Sequence, residues 1–202
     1  MSTIVAQGVS YHRGGRAILD RVSMSAAAGE SIALVGPSGS GKSSLLALLA
    51  RLERPDDGTI ALAGEPRLGL VLQGYGLVSV LTAAENVEVA LQSTRLAKRE
   101  VRRRAEAVLA SVGLNEVADH LVEELSGGQQ QRVAAARALA IEPTILLADE
   151  PTAELDHDWK DRIVALLLDV TAQGGTVVLA THDPTIAERC TRQLHLVDGR
   201  TV

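Results

Sequence analysis

The sequence predicts an α/β domain whose sheet is mostly parallel and covered by helices on both faces. Three observations carry that expectation. Short apolar runs at 31–35 (SIALV), 144–148 (TILLA) and 176–180 (TVVLA) alternate with segments of helical pattern. Runs that are apolar at nearly every position suit strands buried on both faces. A glycine-rich loop comes directly after the first of these strands.

Residues 3–11 and 17–25 largely alternate apolar and polar around Arg13-Gly14-Gly15-Arg16, which predicts an antiparallel hairpin. After the strand at 31–35 and its loop, residues 42–53 have helical composition and stop before Pro55. Strands at 58–63 and 68–72 are expected to pair, joined tightly through Gly64-Glu65-Pro66-Arg67. Residues 83–122 are mostly helical and include the charged run 98–104, read as a solvated helix face ahead of the alternative, a contact with lipid headgroups or a partner. An alanine-rich helix is expected over 129–141, then a strand at 144–148 and a helix at about 157–172. A strand at 176–180, a helix at about 184–190 and a terminal hairpin near 193–202 complete the chain. There is no internal repeat, low-complexity segment or linker, so one domain over residues 1–202 is expected, with a helical insertion at approximately 74–135.

At 202 residues, 46% hydrophobic and 22% charged, the chain can bury one sizeable core. Aromatics make up 1% and Phe is absent, so that core is aliphatic and offers no base-stacking surface for single strands. A net charge of -5 likewise argues against nucleic acid as a partner. Cys190 is the single cysteine, which rules out an intramolecular disulfide and fits a reducing compartment. No basic segment with an apolar run after it opens the chain, so no signal peptide is expected. The longest apolar stretches, such as 163–168, fall far short of the ~18–20 residues that span a bilayer. Work at a membrane would need something else as anchor.

Residues 36–43 read GPSGSGKS, a full match to the phosphate-loop pattern, and lie between a strand and a helix. Here Gly36, Pro37, Ser38, Gly39, Ser40 and Gly41 let backbone N–H groups curl around phosphate oxygens, helped by the helix N-terminus. Lys42 can reach the β and γ phosphates, Ser43 can ligate Mg²⁺, and Ser44 stands beside them in the first turn. The alternative is a glycine-rich turn that binds nothing, which the strand–loop–helix context disfavours. By itself the motif leaves kinases, GTPases, helicases and ATPases open. Residues 145–150 (ILLADE) then end a buried strand in two acids. Asp149 is placed to hold the metal and Glu150 to orient and deprotonate an attacking water.

Residues 125–132 read LSGGQQQR. Ser126, Gly127, Gly128 and Gln129 open a helix and make a second anion site of free N–H groups, helix dipole and hydroxyl. The plainer reading, an N-cap at Ser126, holds at the same time. Two phosphate-binding helix starts in one chain serve one nucleotide most simply if two copies pair head to tail.

On these residues the chain resembles the ATP-binding-cassette (ABC) family over nearly its whole length, in the family's motif order. It resembles the branch that includes lipoprotein-release, macrolide- and peptide-efflux, haem-export and division-associated ATPases, through 74–87 (GYGLVSVLTAAENV) and 145–152 (ILLADEPT). The resemblance implies a P-loop NTPase (RecA-like) core with an antiparallel β subdomain and an inserted α-helical subdomain. It implies ATP and Mg²⁺ as cofactors, a homodimer, an integral membrane permease as separate partner, and a peripheral place on the cytoplasmic membrane face. By resemblance, Gln73 senses Mg²⁺ and the attacking water, Tyr11 stacks on adenine, Leu155-Asp156 end the D-loop, and His182 is the switch histidine. Glu154 departs from the small or amide residue usual before Leu-Asp and adds negative charge at the expected dimer seam. His12, His120, His157 and His195 share no metal-ligand spacing. An ABC ATPase that regulates a membrane-bound cell-wall or signalling partner without transport would carry the same motor residues.

Overall fold

The structure is a computed structural model that describes residues 2–92 and 94–202. Strands β1 (Ser2–Arg13) and β2 (Arg16–Ala27) form the expected hairpin, paired from Ile4↔Ala26 to Arg13↔Arg16 with shifts of register between. A shift in register between Ala6 and Val9 lets β1 bury Ile4, Ala6, Val9 and Tyr11 on one face. Strand β4 (Asp57–Leu62) pairs with the other side of β1, Ile4 opposite Leu62, giving a three-stranded sheet in the order β2-β1-β4.

The second sheet has the order β5-β6-β7-β3-β8-β9. It is built from β3 (Ser31–Val35), β5 (Leu68–Val71), β6 (Ile145–Asp149), β7 (Thr176–Ala180), β8 (Arg192–Val197) and β9 (Arg200–Thr201). All neighbours are parallel except β8 and β9. The expected pairing of 58–63 with 68–72 does not form. β4 stays with the first sheet, while β5 takes its register from β6, Leu68 opposite Ile145. The crossing between sheets is pinned at Arg67, whose Nε donates to the carbonyls of Ile141 (3.1 Å) and Glu142 (2.8 Å).

Alternate residues of the central strands feed two cores, as the two-residue period of a strand requires. Ile32 and Leu34, Ile145 and Leu147, and Val178 and Ala180 face the first sheet and helix α1 (Lys42–Leu49). Ala33, Leu146, Ala148, Val177 and Leu179 face the opposite layer. That layer holds α2 (Ala83–Leu91), α3 (Lys98–Ser111), α4 (Gly127–Ala140) and α5 (His157–Ala172). Each fully buried Leu or Ile in these clusters stabilises by about 1.5–3 kcal/mol.

Helix α1 stops before the expected 53. Arg51 adopts φ 60°, and the bonds Leu52 N→Ala47 O and Arg51 N→Leu48 O close a Schellman turn with an arginine in the left-handed position. Helix α6 (Pro184–Ala187) is likewise shorter than 184–190 and gives way to i→i+3 turns at Arg189 and Cys190. In the helical layer, Thr82 and Glu85 form a capping box at α2. The buried Asn86 amide bonds the backbone of Val78 and Thr82, holding the preceding loop. Trp159 on α5 fills the joint with α3 and α4: Arg132 Cζ lies 4.1 Å over its ring, and Arg132 Nη1 donates to Val112 O at 2.9 Å. Among the described residues no helix is long and apolar enough to cross a membrane.

Candidate functional site

Parallel strands end at one edge of a sheet, so the segments that leave them converge on that edge. The loop after β3, the acids closing β6 and the residues after β7 meet in a cleft of about 660 Å³. The cleft is lined by Gly36, Ser38, Gly39, Gly41, Lys42, Ser43 and Ser44 of the loop, and by Gln73, Asp149, Glu150 and His182. Eleven of the residues singled out from sequence thus share one wall.

The Lys42 ammonium donates to the carbonyls of Gly36 at 2.8 Å and Pro37 at 3.0 Å, so the loop closes on its own lysine. Asp149 is 7% exposed at the end of a fully buried strand. Glu150 has φ 47°, a left-handed backbone costing of order 1–3 kcal/mol in a non-glycine residue, and its N–H donates to Ala180 O at 3.0 Å. That conformation turns the carboxylate toward the cleft, where Glu150 Oε2 lies 3.0 Å from His182 Nδ1. The two side chains differ in setting: Glu150 is 18% exposed and His182 76%.

Several expected residues lie elsewhere. Pro37 is exposed on top of the loop, where its carbonyl also accepts from Ser40 N. Ser40 is buried beneath the loop, its Oγ without a hydrogen-bond partner among the described residues. Tyr11 is not among the lining residues: it belongs to the core around α1 and is 8% exposed. The alternation of β1 turns Tyr11 inward with Val9, and the hairpin presents Arg13 and Ile18 to the cleft instead.

Ser126, Gly127, Gly128 and Gln129 do not line the cleft of their own chain. Ser126 caps α4 as expected: its Oγ accepts from Gln129 N at 3.2 Å and its N–H donates to Gln129 Oε1 at 2.8 Å. A side chain at Gly127 would come within 3.3 Å of the Tyr75 hydroxyl and 3.4 Å of Glu154 Oε2, so the turn before α5 packs against this helix start. Tyr75 and Glu154 also line the cleft, and burial, then the Glu154 carboxylate, push the Tyr75 phenol up.

Sequence reasoning passed over Arg13, Ile18, Tyr75, Gln131, Ala153 and Glu154 as lining residues. Gln131 carried a signal: a polar side chain, 3% exposed, in the inward stripe of an alanine-rich helix. Its Nε2 has no partner among the described residues.

A family model described as ABC transporter matches residues 19–153. A model for an AAA domain, described as a putative AbiEii toxin of a type IV toxin–antitoxin system, matches the overlapping stretch 121–188. The lipoprotein-releasing system ATP-binding protein LolD 2 of Rhodospirillum rubrum is 43% identical over 202 residues, covering 92% of this chain and 87% of that protein. The macrolide export ATP-binding/permease protein MacB of Hyphomonas neptunium is 40% identical over 91% of this chain, which spans 31% of that longer protein. The dimeric post-hydrolysis structure of the ATP-binding cassette MJ0796, bound to ADP and Pi, superposes with a TM-score of 0.92 at 35% identity. That superposition covers 98% of this chain and 96% of the other.

Proposed function

The chain belongs to the ABC transporter family, and from that premise we propose that it is the ATP-hydrolysing subunit of a membrane transport complex whose spanning part is a separate polypeptide. The observation that carries this reading is the Glu150–His182 contact at 3.0 Å in the cleft that also holds Lys42, Ser43 and Asp149.

ATP enters with its phosphates on the loop amides, and Lys42 exchanges the carbonyls of Gly36 and Pro37 for phosphate oxygens. The hard oxygen donors of Ser43, Asp149 and Gln73 suit Mg²⁺, and the buried carboxylate of Asp149 beside a phosphate cradle fits that ion. Bound there, Mg²⁺ would neutralise charge on the phosphates. Glu150 takes the proton from the attacking water, and His182 orients Glu150 and steadies the transferring phosphoryl group. Ser126, Gly127 and Gly128 do not line the chain's own cleft, which suits them to close over the γ-phosphate of a second copy placed head to tail. Relatives named for lipoprotein release and macrolide export favour work at the cytoplasmic membrane face, in export or force transmission.

The test is Glu150→Gln, purified from native membranes with ATP. Its hydrolysis should fall by about 10²–10⁴-fold while ATP remains bound. The protein should also form a dimer that carries a polytopic membrane protein with it. Parental turnover would remove Glu150 as the base, and recovery with ribosomal or DNA-bound proteins alone would remove the transport assignment.

A further inference from the structure

Beside the cleft, the first turn of α5 is tied to the loop that carries His182. Lys160 Nζ pairs with Asp183 Oδ2, the two side chains being 32% and 17% exposed. Asp183 is the residue after His182 and is the N-cap of α6. Its Oδ1 accepts from the Thr185 N–H at 2.9 Å and the Thr185 hydroxyl at 2.7 Å. Its own N–H donates to Thr181 Oγ1 at 3.0 Å, and the Thr181 N–H donates to Leu34 O at 3.2 Å. The residues on either side of His182 are therefore fixed. The imidazole itself is 76% exposed, and a side chain that open takes its position from the backbone beneath it.

Lys160 stands one helical turn past Asp156, the N-cap of α5, and its N–H bonds the Asp156 carbonyl at 2.9 Å. One helical turn thus joins the end of the 152–156 segment, which lies against Gly127 and Gly128, to the loop of His182. Helix formation alone does not call for lysine at this position, since any good helix former would serve.

We propose that Lys160 is a positioning residue for ATP hydrolysis, holding His182 against Glu150 through Asp183 and tying that contact to the turn that precedes α5. This role rests on the ATPase reading proposed for the cleft. The competing account is a surface ion pair that contributes only to stability, typically by under about 1 kcal/mol. The chain supplies its own comparison. Arg189 Nη1 pairs with Asp161 Oδ1 at 3.0 Å, joining α5 to the segment after α6 with no bond to the loop of His182.

The experiment measures kcat and KM for MgATP with Lys160→Met, Lys160→Arg and Arg189→Ala, in the parent and in His182→Ala. Lys160→Met should lower kcat by about tenfold, below the ~10² that a 1 Å misplacement can cost, with KM nearly unchanged. Lys160→Arg should restore most of the rate, Arg189→Ala should keep it, and Lys160→Met should cost nothing further in His182→Ala. A parental kcat in Lys160→Met, an equal loss in Arg189→Ala, or an additive loss in His182→Ala overturns the role while the ATPase reading stands. Absence of hydrolysis in the unaltered protein overturns both.

Discussion

Alanine at position 36 would place a methyl group between the phosphate loop and β8. A Cβ there lies 2.0 Å from the Leu196 carbonyl oxygen and 2.9 Å from Ser40 Oγ. Carbon and carbonyl oxygen settle no closer than about 3.3 Å, so the two segments must part by about 1.3 Å. The obstacle is backbone, which no rotamer moves, and β8 is held in register with β3 from Ile32↔Arg192 to Val35↔His195. The loop therefore gives way. Forced overpacking costs about 1–3 kcal/mol. For a chain of this size each kcal/mol lowers Tm by about 2–4 °C, giving a fall of roughly 2–12 °C. On the proposed reading of this loop as the phosphate cradle, displacing it by about an ångström costs on the order of 10² in kcat/KM. Thermal melts by circular dichroism and phosphate-release kinetics read the two effects. Gly39→Ala is the reference, because nothing lies within 4 Å of a Cβ there and only its φ of +79° is strained. A Gly36→Ala protein with parental melting and parental kcat/KM would refute the packing argument.

Three other outcomes are expected. Gly113→Ala puts a Cβ 2.2 Å from Trp159 Cη2 at a φ of +68°, and should destabilise by about 2–5 kcal/mol from strain and overpacking together. In a Trp159→Ala background the overpacking share should vanish, and an equal loss in both backgrounds would disprove the contact. Ser126→Ala removes one half of the capping box on α4 and should cost about 1 kcal/mol in urea unfolding, so an unchanged midpoint would count against it. Lys160, then Thr185, hold the Asp183 carboxyl well below its ordinary value of 3.8. A depressed carboxylate contributes stability that is whole above that value and is lost as pH falls below it. Asp183→Asn should therefore be less stable at neutral pH and lose less on acidification, as urea titrations from neutral to strongly acid pH would show. Parallel curves for the two proteins would contradict the assignment.

The buried parallel strands were legible because their signal is local. Residues 31–35 and 176–180 are strands to the residue, and 157–172 is a helix with the expected ends, capped by Asp156. The partition of β4 and β5 between two sheets was not, because Gly64 to Arg67 reads like a hairpin turn. What separates the strands is pairing with β1 and β6, segments distant in sequence. The end of α1 was hidden for another reason: its closing turn uses Arg51, not the glycine that would have marked it. At the cleft, motif order brought Lys42, Asp149, Glu150 and His182 to one wall. Motif order could not show that Tyr11 is 8% exposed, since the direction of its side chain depends on a shift in β1 register. Nor could it find Lys160, whose partner Asp183 arrives only when α5 lies along the sheet.

The joint between α5 and the α3–α4 pair has an optical consequence. The chain has one tryptophan, two tyrosines and no phenylalanine, and the tryptophan is Trp159, under Arg132 of α4 and against Gly113 at the end of α3. Indole emission from the unlabelled protein therefore comes from a single place. That place is where the helix opening with Ser126 meets the helix holding the loop of His182. A shift of one against the other moves a guanidinium across the face of the fluorophore. The wild-type chain thus carries an intrinsic gauge of that joint, readable in a stopped-flow trace without dye or mutation.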